Sequence, residues 1–451
     1  MIQCKVKDNT QISKEDLSSI SVLTKKVADK TLEQLEREAI FVFPGKIKKA
    51  GDITKDQMIL QSYNDSFRTS NVMGFLGIGN ERLIIESRFS TGENDFLFDY
   101  LLEKVLDFPN IINLEIDAND DERIYDLMLF LFPGYLEKAM RKGIFKTYIR
   151  RDYNYGNVKG TIDVARHIRK NIPFTGSVAY SQREYSYDNY LTELIRHTIE
   201  HIKRKPYGNK LLGRVKDEVK LIEEATLGYA ANNKRSIIEA NKKNTVSHAY
   251  FSEYGALQKL CILILQNQRQ QLGTGSKRVY GILFDGAWLW EEYVNSVIGD
   301  IFYHPMNKAG KGSQWLFDGN TGLIYPDFIS KDPNNRIIAD AKYKPVNNIG
   351  NKDYLQVLAY MFRFDAKQGF YLYPEVDNMG DTELRMNEGL SYEGNVAMRE
   401  NILITKHGFT IPSEPVNYSN FIVQMEESER RFKERLMIAR TNEKTKLYGH
   451  I

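Results

Sequence analysis

Tyr325-Pro-Asp-Phe-Ile329, followed shortly by Ile337-Ile-Ala-Asp-Ala-Lys-Tyr-Lys344, decides how this chain is read. The second stretch is an apolar strand that turns charged at its end. Side chains along a strand alternate with a period of two. Asp340, Lys342 and Lys344 therefore share one face, with Ile338 nearer the strand's start. Ile337, Ala339, Ala341 and Tyr343 point the other way. Residues 324–330 read as the neighbouring strand of a hairpin, turning over 331–335, and Asp327 sits near its start. Two carboxylates and a lysine are thereby brought to one end of the hairpin.

Phosphodiester hydrolysis needs such a set. Mg²⁺ takes hard oxygen ligands in a compact octahedral shell that keeps several waters. Asp327 and Asp340 would supply carboxylates and the backbone carbonyl of Ala341 a third ligand. Mn²⁺ is an alternative ion of similar demands. The metal would lower the pKa of bound water and neutralise charge on the scissile phosphate. Lys342 would orient or deprotonate the attacking water and stabilise the developing charge. Metal and carboxylates pull its pKa in opposite directions, so its proton state stays open. A surface strand with one salt bridge would also contain Asp-x-Lys. The preceding Pro-Asp, the apolar Ile-Ile-Ala and the amphipathic helix that follows favour the catalytic reading.

Outward from this core, residues 287–297 form an aromatic helix, 353–364 a second helix and 368–373 a strand. Strand-like runs follow at 385–386 and 402–405, then a charged helical tail over 426–445. Helix, hairpin, helix, strand is an α/β unit, assigned to 278–451. The polar, Gly-containing 266–277 reads as a loop or boundary before it. Residues 1–90 read as a β-rich domain with strands at 41–43, 71–78 and 83–89, and Gly79-Asn80 as a turn. The middle, 91–270, reads as mixed but mainly helical. Helices are expected at 95–106, at 120–142 with Pro133-Gly134 as an interruption, at 186–205 with Asp188 as N-cap, and between 219 and 270. The expected fold class is multidomain α+β. It has a β-rich N-terminal domain, a helical middle region and a C-terminal α/β domain.

Residues 137–170 carry ten Lys or Arg against three Asp or Glu, and 203–220 carry seven against two. Such segments are either solvated faces or phosphate contacts. Tyr148, Tyr153 and Tyr155 lie within the first.

In its motifs the chain resembles the PD-(D/E)xK nuclease superfamily, and within it the McrC subunits of McrBC-type restriction systems. Leu289-Trp-Glu-Glu-Tyr-Val294 looks like the family's aromatic-acidic helix, with Glu291 at the acidic position. Asp327 matches the Pro-Asp carboxylate, and Asp340 and Lys342 match the (D/E)xK pair. Tyr354-Leu-Gln-Val-Leu-Ala-Tyr360 supplies Gln356 where the family carries a site-facing glutamine that helps position substrate or water. Further upstream, Met73-Gly-Phe-Leu-Gly-Ile-Gly-Asn-Glu-Arg-Leu-Ile-Ile-Glu86 resembles the N-terminal glycine-plus-strand pattern, ending in Ser87-Arg88 rather than Pro-Lys. Val158-Lys-Gly-Thr-Ile162 resembles the middle strand, with Lys159 in place of arginine, and residues 186–194 resemble the helix after it. The matches span residues 73–360. The resemblance implies that the C-terminal α/β domain is restriction-endonuclease-like and that the chain is a Mg²⁺-dependent endonuclease subunit acting on double-stranded DNA. It implies docking through the N-terminal half to an McrB-like AAA+ GTPase hexamer, which binds the GTP. An autonomous repair or mobile-element nuclease, and a noncatalytic DNA-binding adaptor with a nuclease-like fold, are the rival readings.

Composition narrows the field. The 451 residues suit two or three domains, and 42% apolar with 27% charged residues suits packed cores rather than disorder. A net charge of +3 neither demands nor excludes a polyanion. Cys4 and Cys261 make neither a disulfide scaffold nor a thiolate zinc site. The apolar runs are too short to span a bilayer, so a cytoplasmic protein with no membrane partner is expected. His197 and His201 stand i,i+4, yet two histidines do not close a zinc site. Gly273-Thr-Gly275-Ser-Lys277 misses the phosphate-loop spacing and reads as a plain loop.

Overall fold

A computed structural model describes residues 2–35, 39–43, 57–92, 95–106, 120–246, 249–270, 279–305, 312–376, 380–388 and 397–447. The glycine-rich 273–277 lies outside these. The chain is a mixed α/β protein in two compact units: Met1–Glu115 with Thr274–Ile451, and Ile116–Gly273.

The first unit contains two large sheets. One has five strands in the order Ile2–Lys7, Glu81–Glu86, Val72–Ile78, Tyr280–Asp285, Ala39–Phe43. Its central hairpin joins Val72–Ile78 to Glu81–Glu86, turning at Gly79, whose φ of +56° suits glycine. The next strand, Tyr280–Asp285, follows the second unit in the sequence. The sequence segmentation assigned that stretch to the C-terminal domain. Packing explains its place: Ile282, Leu283 and Phe284 are fully buried, and glycines allow the strands to close up. Gly74 has φ +133°, and a Cβ there would stand 2.1 Å from the Ile282 carbonyl oxygen. A Cβ at Gly281 would meet the Phe75 carbonyl oxygen at 2.3 Å.

The other sheet has six strands in the order Phe302–Tyr303, Phe328–Ser330, Ile337–Ala341, Gln368–Glu375, Ala397–Thr410, Thr382–Glu388. The pairs Ile337–Ala341 with Gln368–Glu375, and Gln368–Glu375 with Ala397–Thr410, are parallel; the others are antiparallel. A crossover helix, Asn351–Arg363, covers one face with Val357, Tyr360 and Met361. Helix Gly286–Ile298 buries Leu289, Trp290, Tyr293 and Val294, and the Trp290 indole N–H donates to the Leu372 carbonyl at 3.0 Å. The tail helix runs Tyr418–Leu447.

Two strand limits differ from the sequence reading. Residues 324–330 do not form one strand: Thr321–Ile324 pairs with Gln314–Phe317, and Phe328–Ser330 pairs with Ile337–Ala341. Tyr325-Pro-Asp327 lies between, because proline cannot donate to a ladder. The charged strand also stops at Ala341.

The second unit is helical around one antiparallel sheet. Thr147–Tyr155 pairs with Val178–Ser186, which also pairs with Thr161–Ile162. Helix Tyr190–Lys203 buries Leu191, Leu194, Ile195, Ile199 and Ile202. Its N-cap is Asn189, not Asp188. Asn189 Oδ1 accepts from the Leu191 and Thr192 N–H groups, while Asp188 pairs with Arg151 at 2.9 Å. Pro133 does not interrupt its helix, which runs Asp120–Met140. Burial of Leu129, Phe132, Leu136 and Ala139 on both sides of it outweighs the missing backbone bond.

Candidate functional site

The site forms where the parallel pair Ile337–Ala341 and Gln368–Glu375 ends. Asp340 is 1% exposed, and its Oδ2 lies 2.6 Å from Lys342 Nζ. Lys342 follows the last ladder residue, yet its N–H still donates to the Leu372 carbonyl at 2.9 Å, so alternation continues past the strand. Lys342 Nζ also donates to Gln356 Oε1 at 3.2 Å, and the Gln356 amide donates to the Tyr360 hydroxyl at 2.8 Å. Half-buried Asp327 accepts from the Ala341 N–H through Oδ2 at 2.9 Å, which ties the Pro-Asp turn to the end of the charged strand.

Glu291 is buried in helix Gly286–Ile298 and joins the set through His304. The ring is almost enclosed and stacks on Phe328. Its Nδ1 lies 3.0 Å from the Asp327 carbonyl oxygen. Its Nε2 is 3.8 Å from Glu291 Oε1 and 3.6 Å from Glu292 Oε1. Burial alone would favour the neutral imidazole, but the Glu292 contact and the Asp327 carbonyl overturn it and raise the pKa.

The electrostatics are those of a crowded carboxylate centre. Burial, then the charges of Glu291 and Asp340, push the Asp327 pKa well above the ordinary carboxylate range against the opposing pull of Lys342. Burial would lower the Lys342 pKa, yet Asp340 and Asp327 hold it above the usual lysine value. The side chain is therefore an ammonium here. Lys344 pairs with Asp353 at 2.7 Å, and the other Asp353 oxygen is 3.6 Å from Lys342 Nζ. Burial would raise the Asp353 pKa, but Lys344 and the Gly350 N–H bring it below the usual value.

All five residues singled out from sequence thus lie in one connected neighbourhood. His304 and Asp353 escaped the sequence reading. Asp353 carried a signal, an acidic residue in a helix's first turn beside a lysine-bearing strand. His304 had none, since its place depends on distant partners.

The donor set fits a hard divalent cation. It offers carboxylates that burial and then their neighbours' charge hold back from ionising, a cost that such an ion would relieve. Among the described residues no three acidic, imidazole or thiol side chains form a cation site on their own. Backbone oxygen and water would have to complete a shell around Asp327 and Asp340.

The sheet and its cluster define a mixed α/β protein with a carboxylate–ammonium centre at the end of a parallel strand pair. A sequence model of the McrBC 5-methylcytosine restriction system component matches residues 67–374, well over half of the chain. The chain belongs to that family. Among solved structures it is similar to a chain of the half-complex from a tetradecameric assembly of Thermococcus gammatolerans McrB AAA+ hexamers with bound McrC. That match has 14% identity over 96% of this chain and 100% of that one, with a TM-score of 0.47. It is also similar to a chain of the T. gammatolerans McrBC complex, with 14% identity over 66% of this chain and 87% of that one and a TM-score of 0.32. A search of curated proteins gives no match. No helix among the described residues is long and apolar enough to cross a membrane.

Proposed function

We propose that this chain is the metal-dependent DNA endonuclease subunit of a GTP-dependent, McrBC-like restriction complex. The observation that carries the reading is the Asp340–Lys342 pair joined through the Ala341 N–H to Asp327. Asp327, Asp340 and the Ala341 carbonyl would hold Mg²⁺ or Mn²⁺, with Glu291 as a further ligand. The bound ion would supply Lewis-acid stabilisation of the phosphate and a lowered pKa for water.

The chain's own residues then divide the remaining work. Lys342, held as an ammonium by Asp340, places positive charge where the phosphorane develops negative charge. Gln356 fixes Lys342 through its Oε1 and is itself fixed by Tyr360, which narrows the lysine's range of positions. His304 ties Glu291 to the Asp327 backbone and so sets the distance between two carboxylate-bearing elements. Lys344 pairs with Asp353, whose other oxygen faces Lys342, and so holds that carboxylate beside the lysine.

Family membership in a two-component restriction system supports a partner, an McrB-like AAA+ GTPase hexamer that binds the GTP. The test is cleavage of methylated and unmethylated plasmid with that partner, Mg²⁺ and GTP, each omitted in turn. Cleavage needing all of them, and lost in Asp340→Asn, is the expected result. Efficient cutting without partner or GTP would favour an autonomous nuclease. Equal cutting by Asp340→Asn would remove the site from the chemistry.

A further inference from the structure

Between Lys342 and Lys344 stands Tyr343, buried on the opposite face of the charged strand end. Its surroundings come from three separate parts of the chain. Its hydroxyl shares a 2.7 Å hydrogen bond with Ser87 Oγ and donates to Met73 Sδ at 3.3 Å. The Arg88 guanidinium sits over its ring, 4.8 Å from the centroid, and Phe89 meets it edge-on at 5.1 Å. Arg88 is not free to leave, because it forms a buried ion pair with Asp8 and its Nε donates there at 3.0 Å. Asp8 also accepts from the Arg88 backbone N–H at 2.6 Å. Asp95 accepts from the Ser87 N–H, fixing the seryl side of the clamp.

The third wall is Gly286, the first residue of the helix that carries Glu291. A Cβ at Gly286 would lie 2.7 Å from Tyr343 Cε1, so the ring rests directly on that helix start. The helix follows the strand Tyr280–Asp285 of the five-stranded sheet without a break, and Asp285 caps it through the Ala287 N–H at 2.9 Å. One aromatic ring thus touches the end of the N-terminal hairpin, the start of the Glu291 helix and the two lysine-bearing positions.

We infer that Tyr343 is a positioning residue. Clamped by Ser87, Arg88 and Gly286, it sets where Lys342 and the Glu291 helix stand relative to Asp340, so the five-stranded sheet holds the geometry of the cutting site. The inference rests on the proposed endonuclease reading. Past Ala341 the strand has left its ladder, and its course is held by the Lys342-to-Leu372 backbone bond, the side-chain contacts of Lys342 and Lys344, and this clamp. A lysine displaced by about 1 Å loses on the order of 10²-fold in rate.

The experiment uses the full chain with its partner GTPase. Tyr343→Leu removes ring and hydroxyl; Tyr343→Phe keeps the ring; Gly286→Ala pushes the ring from the other side with every polar group retained. Steady-state cleavage is measured with each. Amine labelling of Lys342 is followed by mass spectrometry, with Lys331 as internal reference. Tyr343→Leu and Gly286→Ala are expected to lower kcat roughly 10- to 100-fold with KM within about twofold, and Tyr343→Phe to recover most of it. Lys342 labelling should rise severalfold relative to Lys331 in the two impaired variants. Wild-type kcat together with wild-type labelling in both would overturn the clamp. The labelling needs no turnover, so it decides the inference even if the wild type does not cut, an outcome that would instead defeat the endonuclease reading. If Tyr343→Leu does not fold, Gly286→Ala and Ser87→Ala carry the same comparison.

Discussion

Asp327 shows what a crowded carboxylate cluster costs a residue that belongs to it. Its carboxyl is pushed up by burial and by Glu291 and Asp340. A carboxyl whose folded pKa exceeds its unfolded value keeps its proton longer in the native state. The native state then binds more protons, and stability falls as pH rises from the unfolded carboxylate value towards the folded one. Asp327→Asn retains an acceptor for the Ala341 N–H and removes the repulsion. Thermal melts should therefore show the variant at least as stable as wild type at pH 8, with the difference shrinking towards pH 4. The same substitution should lower cleavage by roughly 10²-fold or more. A variant that melts well below wild type at pH 8 would show that the ionised carboxylate is structural. At this scale the sequence was informative where alternation applies: Asp340 and Lys342 meet, while Tyr343 is buried on the other side. It was silent on His304, whose neighbours Glu291 and Asp327 are brought to it only by the fold.

Helices and strands were legible in proportion to how local their causes are. Gly286–Ile298 and Asn351–Arg363 carry apolar stripes and fall where periodicity puts them. The strand Thr147–Tyr155 alternates half-buried and exposed residues that are mostly polar, so no apolar period marked it within the basic segment, and its partner Val178–Ser186 buries Ala179, Tyr180 and Ser181 in succession rather than in alternation. The pairing of Tyr280–Asp285 with Val72–Ile78 is a choice between distant strands, which no local pattern records. The N-cap one residue beyond Asp188 also turns on wider contacts. Asn189 uses its amide to donate to the Phe145, Ser186 and Tyr187 carbonyls while its oxygen caps the helix. An aspartate has no such donors. Asn189→Ala should therefore cost about 2 kcal/mol, the upper end for a lost cap, and Asn189→Asp should recover only part of it. Equal urea midpoints for wild type and Asn189→Ala would show that the cap adds nothing.

At the scale of the whole molecule, the sequence of a contiguous unit, Ile116–Gly273, interrupts that of a discontinuous one made from Met1–Glu115 and Thr274–Ile451. The cores are separate in composition. Leu194, Ile195 and Ile199 belong to the contiguous unit, and Val72, Leu76, Leu83 and Leu283 to the discontinuous one. Chains with more than one cooperative unit do not melt in a single two-state step. Calorimetry should resolve two transitions, each answering to its own substitution. Asn189→Ala should lower only one of them. Gly74→Ala should lower only the other and by more, because the added methyl meets the Ile282 carbonyl at a φ that L-residues rarely adopt. If the clamp at Tyr343 holds the site as inferred, Gly74→Ala should also depress cleavage before it unfolds the protein, since Met73 touches the Tyr343 hydroxyl. Asn189→Ala should leave the chemical step untouched when measured below both transitions. A single transition moved equally by both substitutions would mean that the two units fold as one, and cleavage rates would then track overall stability rather than the five-stranded sheet.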